Sequence, residues 1–305
     1  MHHPVIINAL AYFVDSFNPV LLHIYGPLSV RWYGVAYIMG FLGGYLLWIR
    51  ASKTGRTSLG REQIDELLTW AIAGVLVGGR LGYMLFYDLA DFISNPLSII
   101  RIDQGGMSFH GGLLGVAATV AIVAKRKKLP LWEIGDLCAM AAPIGLFFGR
   151  IANFVNGELW GKISSVKWAM IFPNAPVDET APTVSYASVF GELLANPRHP
   201  SQLYEATLEG LLLGGVMLFL YWRRDCIAKK RPGLLSGLFL IVYAAARIVC
   251  EIFREPDAAF ILGLSRGTFY SLLMAIAGIL LVLRATTKSR RTDGKIASGK
   301  TTPVD

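Results

Sequence analysis

Seven stretches of this chain are long and apolar enough to be membrane helices, and short basic blocks separate them. A bilayer core takes about 20 mostly apolar residues per helix. The runs lie at residues 32–49, 67–87, 107–124, 137–155, 203–222, 233–253 and 267–283. Inside a bilayer each backbone polar group must be satisfied internally, so such runs fold as helices. The chain is 54% hydrophobic and only 16% charged, against about 25% charged in a typical soluble domain. The expectation is an all-α integral membrane protein of about seven transmembrane helices, forming a single membrane domain over residues 1–305. The connection at 157–202 holds five prolines and several aromatics. It is expected to form a small external cap between spans 4 and 5.

The formal net charge of +8 would suggest nucleic acid in a soluble protein. Here Lys and Arg follow topology instead, so no nucleic-acid partner is expected. Basic residues favour the cytoplasmic side of a membrane. The blocks at 50–61, 125–128, 223–231 and the tail from Arg284 hold nineteen of the 29 Lys and Arg. If the spans alternate, these blocks all share one side. The expectation is a multi-pass protein of the bacterial inner membrane, with an external N-terminus and cap. The tail at 285–305 is expected to be cytoplasmic, basic and disordered. The first thirty residues lack Lys, Arg and a small-residue cleavage site, which argues against a signal peptide. Leu21, Leu22, Ile24 and Tyr25 suggest an amphipathic lead-in at the membrane surface. Cys138, Cys226 and Cys250 form no metal or redox pattern.

Ionisable side chains inside a bilayer cost at least about 2.5–3.5 kcal/mol each on insertion scales, so they rarely persist without a role. With the orientation above, nearly all of them fall in the outer half. These are Arg80 on span 2, His110 starting span 3, Arg150 with Asn153 and Asn156 ending span 4, Glu205 and Glu209 starting span 5, and Arg247, Glu251 and Arg254 ending span 6. Arg247, Glu251 and Arg254 share one helical face by their spacing, as do Arg150 and Asn153. This placement describes a polar cavity open to the outer leaflet. Several arginines with few compensating carboxylates imply an anionic ligand, and a phospholipid phosphate is the obvious anion at that depth. His110, beside Gly111 and Gly112, is a candidate base near neutral pH.

The same residues admit plainer readings. Arg80, Arg247 and Arg254 could snorkel to the interface. Glu205 and Glu251 could be structural partners of the arginines. His110 could be a hydrogen-bonded interface histidine. Trp32, Trp160, Trp168 and Tyr204 fit an aromatic belt, and Lys125–Lys128 fits a topology signal alone. A lipid or anion transporter and a headgroup-releasing hydrolase remain rivals to a transferase. The transporter would need a second polar set in the inner half, which the sequence lacks.

The segment Gly149-Arg150-Ile151-Ala152-Asn153-Phe154-Val155-Asn156-Gly157-Glu158-Leu159-Trp160-Gly161 resembles the signature of the prolipoprotein diacylglyceryl transferase family. That pattern reads G-R-x-[GA]-N-F-x-N-x-E-x-x-G. The segments Arg31-Trp32-Tyr33-Gly34, His110-Gly111-Gly112-Leu113, His199-Pro200-Ser201-Gln202-Leu203-Tyr204-Glu205 and Tyr243…Arg247…Glu251…Arg254-Glu255-Pro256 agree in content and order. The resemblance implies a transferase that moves the diacylglyceryl group of phosphatidylglycerol to the lipobox cysteine of a prolipoprotein. Glycerol phosphate is released, in the first step of lipoprotein maturation, with no cofactor and no metal. It implies two partners, the membrane lipid phosphatidylglycerol and the prolipoprotein signal peptide. It also places Tyr33, Glu158, Gly161 and Glu251 in the site beside His110, Arg150, Asn153 and Arg247. Arg150 and Arg247 are expected to hold the leaving phosphate with Arg254, and Asn153 and Asn156 to orient the head group. Gly161 fits a backbone requirement better than a chemical role.

Overall fold

The structure is a computed structural model. It describes residues 7–8, 12–25, 28–100, 106–188, 191–223, 230–256 and 259–297. The expectation for Cys226 lies outside the described residues. In chain order come short strands β1 (Ile7–Asn8) and β2 (Phe13–Val14), and a hairpin of β3 (Val20–Tyr25) and β4 (Leu28–Arg31). Helices α1 (Trp32–Lys53), α2 (Arg61–Phe86), α3 (Leu89–Ser94), α4 (Phe109–Arg126) and α5 (Leu131–Val155) follow. Strands β5 (Met170–Ile171), β6 (Val184–Ser188) and β7 (Gly191–Ala195) precede the last three helices, α6 (Ser201–Trp222), α7 (Leu234–Phe253) and α8 (Arg266–Ala297).

Six of these helices are long and apolar enough to cross a membrane: α1, α2, α5, α6, α7 and α8. The remaining expected span, 107–124, is present as the 18-residue α4. Its opening glycines and closing Lys125 and Arg126 dilute its apolar character. Large apolar side chains stand exposed along the spans, among them Leu211, Phe219, Leu273, Ile276 and Leu280. Such faces suit lipid rather than water. Helix α8 runs past the end of its apolar stretch to Ala297, where a disordered tail is expected from residue 285.

Where the sequence suggests one membrane domain, the chain divides into two compact units. The unit Tyr45–Leu137 is built on close packing of α2 against α4. Gly74 and Gly82 of α2 face Gly115 and Gly111 of α4. A Cβ on Gly74 would lie 2.7 Å from the Gly115 carbonyl oxygen, and one on Gly82 would lie 2.6 Å from the Gly111 Cα. Small residues at four-residue spacing let backbones approach this closely. Arg80 does not snorkel. It is buried, and it donates to the carbonyl oxygens of Ser98, Ile99 and Gly106. Glu133 holds the α1–α2 turn by accepting hydrogen bonds from the Thr57 hydroxyl and from the Ser58 amide and hydroxyl.

The other unit comprises Met1–Gly44 and Cys138–Asp305. Its cap is not built from residues 157–202 alone. Strand β1 pairs in parallel with β6, β2 in parallel with β5, and β6 antiparallel with β7. Ile171, Val184, Tyr186 and Ala195 form a small core, against which Tyr12 and Val14 pack. The lead-in at Leu21–Tyr25 is a strand of the β3–β4 hairpin, with Leu22, Ile24 and Tyr25 exposed. Successive side chains of a strand point to opposite faces, and adjacent Leu21 and Leu22 are both exposed, so both faces of this ribbon are open among the described residues. Within the same unit α7 and α8 meet where a Cβ on Gly237 would lie 2.8 Å from the Gly278 carbonyl oxygen.

Candidate functional site

Helix α5 ends at Val155, and the chain turns sharply through Gly157, whose φ of +60° lies in the left-handed region. That turn points Glu158 back towards the helix. Asn153 Nδ2 donates to Glu158 Oε1 at 2.8 Å, and the Tyr33 hydroxyl, from the start of α1, donates to the same oxygen. Asn153 also donates to the Tyr33 hydroxyl. The turn is held from the other side by the first turn of α6. Gln202 Nε2 donates to the Glu158 carbonyl oxygen at 2.7 Å, and Ser201 Oγ to that of Leu159 at 3.0 Å.

Gly161 is pinned between two chains. Its N–H donates to the His199 carbonyl oxygen at 2.9 Å. A Cβ there would lie 2.6 Å from the carbonyl oxygens of both His199 and Phe253. Arg198 braces the same region by donating to the Gly161 and Pro176 carbonyl oxygens and pairing with Glu255 at 3.1 Å. Trp168 donates to the Tyr204 hydroxyl at 2.7 Å, and that hydroxyl lies 3.1 Å from His199 Nδ1. Burial first and Lys162 second lower the His199 imidazole's affinity for a proton.

The charged part of the site is a network across three helices. Arg150 of α5 meets Glu205 at 2.8 Å and Glu209 at 3.4 Å, both on α6. Arg247 of α7 meets the same Glu205 at 2.8 Å and Glu209 at 3.4 Å, and pairs with Glu251 at 3.0 Å. Arg254 pairs with Glu205 at 3.0 Å. Arg150 also donates to Asn153 Oδ1 at 3.4 Å, which joins this network to the Tyr33–Asn153–Glu158 cluster. Glu205 and Glu209 have 0% exposure. After Glu205, α6 widens into a π-helical stretch over Ala206–Leu212 that contains Glu209, a distortion frequent at functional sites.

The expected excess of arginine over carboxylate is therefore corrected. Arg150, Arg247 and Arg254 are ion-paired side chains and do not snorkel; Glu205, Glu209 and Glu251 match them in number. The sequence presents Glu205 and Glu209 on a different span from the arginines, and only packing shows that they share partners. Of the expected site residues, Tyr33, Arg150, Asn153, Glu158, Arg247, Glu251 and Arg254 form one connected network, with Gly161 and Asn156 in the turn beyond α5. Asn156 Oδ1 is buried without a hydrogen-bond partner among the described residues. His110 stands in the first turn of α4, in the other unit, exposed and edge-on to Phe109. Glu205 and Glu209 were not among the expected site residues. The signal for them was two carboxylates four residues apart in an otherwise apolar span.

Two cationic forks from separate helices thus converge on one carboxylate pair, next to a hydroxyl–amide–carboxylate cluster. A family model described as prolipoprotein diacylglyceryl transferase matches residues 19–284. Curated relatives named phosphatidylglycerol–prolipoprotein diacylglyceryl transferase are similar over most of the chain. The one from Idiomarina loihiensis is 47% identical over 274 residues, covering 88% of this chain and 94% of its own length. The one from Rhizobium meliloti is 46% identical over 282 residues, covering 88% and 92%. The one from Rhodospirillum rubrum is 46% identical over 275 residues, covering 88% and 93%.

Proposed function

This chain belongs to the prolipoprotein diacylglyceryl transferase family, and from that premise we propose that the network above is where it performs its reaction. The enzyme transfers the diacylglyceryl group of phosphatidylglycerol to a prolipoprotein, the first step of lipoprotein maturation, in a bacterial membrane. The acceptor is the lipobox cysteine thiol, which attacks the glycerol carbon. The C–O bond to phosphate breaks, a thioether forms, and glycerol phosphate leaves.

A free thiol has a pKa near about 8.5 and is only partly ionised at neutral pH, so it needs a base or nearby positive charge. We assign that role to His110 on the sequence pattern alone, the His110-Gly111-Gly112 segment that opens span 3. Arg150 and Arg247 hold the phosphate and stabilise the charge that grows on it as the bond breaks. Arg254 holds Glu205 in place beside them. Asn153 and Asn156 orient the glycerol head group, and Tyr33 and Glu158 set the position of Asn153. Gly161 lets the cap backbone close on itself. One observation supports this reading above the others: Arg150 and Arg247 come from separate helices and converge on the same two carboxylates.

The test uses purified protein, phosphatidylglycerol labelled in its acyl chains, and a lipobox peptide. Label is expected on the peptide cysteine. Release of labelled diacylglycerol to water without peptide labelling would favour a hydrolase, and neither product would favour a transporter. The site is placed towards the outer leaflet, with the N-terminus outside and the C-terminus cytoplasmic, on the strength of the basic blocks. Reporter fusions after Arg56, after Lys128 and in the tail are expected to read cytoplasm. Fusions near Asn95 and Asp178 are expected to read outside. An external reading at Lys128 would overturn the orientation.

A further inference from the structure

Arg150, Arg247 and Arg254 stand against Glu205, Glu209 and Glu251, so the formal charges of these six side chains cancel. A phosphodiester monoanion added to them leaves one negative charge in excess. Glu205 and Glu209 have no contact with water, and a buried uncompensated charge is strongly disfavoured. A carboxylate in that position responds by taking up a proton, because burial favours its neutral form.

The distances decide which carboxylate yields. Glu205 is gripped by Arg150 at 2.8 Å, Arg247 at 2.8 Å and Arg254 at 3.0 Å. Glu251 pairs with Arg247 at 3.0 Å, four residues along the same helix, and lies beside Gly267 in the first turn of α8. Glu158 accepts from both Tyr33 and Asn153. Glu209 is reached by Arg150 and by Arg247 only at 3.4 Å. The groups facing it are Arg150 from α5, Arg247, Tyr243 and Cys250 from α7, and Glu205 from its own helix.

We infer that Glu209 is a stand-in for the substrate phosphate. Without lipid its carboxylate occupies the Arg150–Arg247 pair. The phosphodiester of phosphatidylglycerol displaces it, and Glu209 takes up one proton from solvent as it leaves the arginines. Lipid binding is then coupled to proton uptake, and Glu205 keeps the two guanidinium groups in place throughout. This rests on the reading of the network as the phosphatidylglycerol site.

Isothermal titration of the full-length protein in detergent tests it. Phosphatidylglycerol is titrated in two buffers of different ionisation enthalpy at the same pH. The wild type is expected to take up about one proton per lipid bound, and Glu209→Gln close to none. In the transfer assay the wild-type KM for phosphatidylglycerol should rise on the alkaline side, by up to about tenfold per pH unit. In Glu209→Gln it should be lower and flat. Glu209→Asp keeps the charge and should keep the slope, which separates exchange from misfolding. Glycerol phosphate titrated alone distinguishes recognition of the phosphate, which gives uptake with both ligands, from recognition of the whole lipid. No uptake by the wild type, or equal uptake by a folded Glu209→Gln protein, overturns the exchange. Uptake without any transfer to peptide would count against the transferase reading and leave the exchange standing.

Discussion

Replacing Arg150 or Arg247 by lysine is expected to slow transfer by about 10²–10³-fold at equal protein level, the loss typical of removing one preorganised charge-stabilising donor. Charge is not the issue, since lysine keeps it. Arg247 contacts Glu205, Glu209 and Glu251 at once through Nη1 and Nη2. Arg150 uses Nε, Nη1 and Nη2 to reach Glu205, Asn153 and Glu209. A planar fork can hold several partners in fixed directions and still present a donor edge to phosphate; a single ammonium cannot. Alanine should be worse for a second reason. It removes one of the counter-ions that Glu205 and Glu209 share, and breaking a buried ion pair from one side costs about 3–5 kcal/mol. Membrane abundance of the alanine variants should therefore fall, while that of the lysine variants should hold. The assay is the transfer rate in membranes, normalised to protein by immunoblot. Full activity in both lysine variants would remove the phosphate-holding role from these arginines and leave the family membership untouched.

His110→Gln is expected to lower the transfer rate by about 10²–10⁴-fold, the range for a lost general base. The fold should be kept. His110 is exposed at the start of α4, and the helix start is capped by Ser108 Oγ, which accepts from the Gly111 N–H at 3.2 Å. Glutamine disturbs neither that cap nor the packing of Gly111 on α2. The loss should shrink as pH rises towards the thiol's own pKa, because more of the substrate ionises unaided. A variant with wild-type activity across neutral pH would move the base role elsewhere, or show that positive charge alone generates the thiolate.

The sequence determined the class of this protein. Long apolar runs have few physical solutions, so helices across a membrane followed from hydropathy alone, and six of the expected runs are helices of that kind. It also determined which residues to look at. Arginine, asparagine and glutamate are costly at membrane depth, so their presence in apolar runs stands out without any structure. The span 4 signature singled out Arg150, Asn153, Glu158 and Gly161 through family resemblance, and the Arg31–Gly34 segment added Tyr33.

Tertiary structure decided the rest, because it turns on partners far apart in the chain. Glu205 lies 42 residues from Arg247 and Glu209 lies 59 from Arg150. No periodicity on one helix reveals that their charges meet, and so the arginines read as a surplus when they are in fact paired. The cap shows the same limit. β1 and β2, from the first fourteen residues, extend it by pairing with β6 and β5 in two separate sheets. Parallel pairing of two-residue strands has no local signal, since each gains its stability from a core built by distant residues.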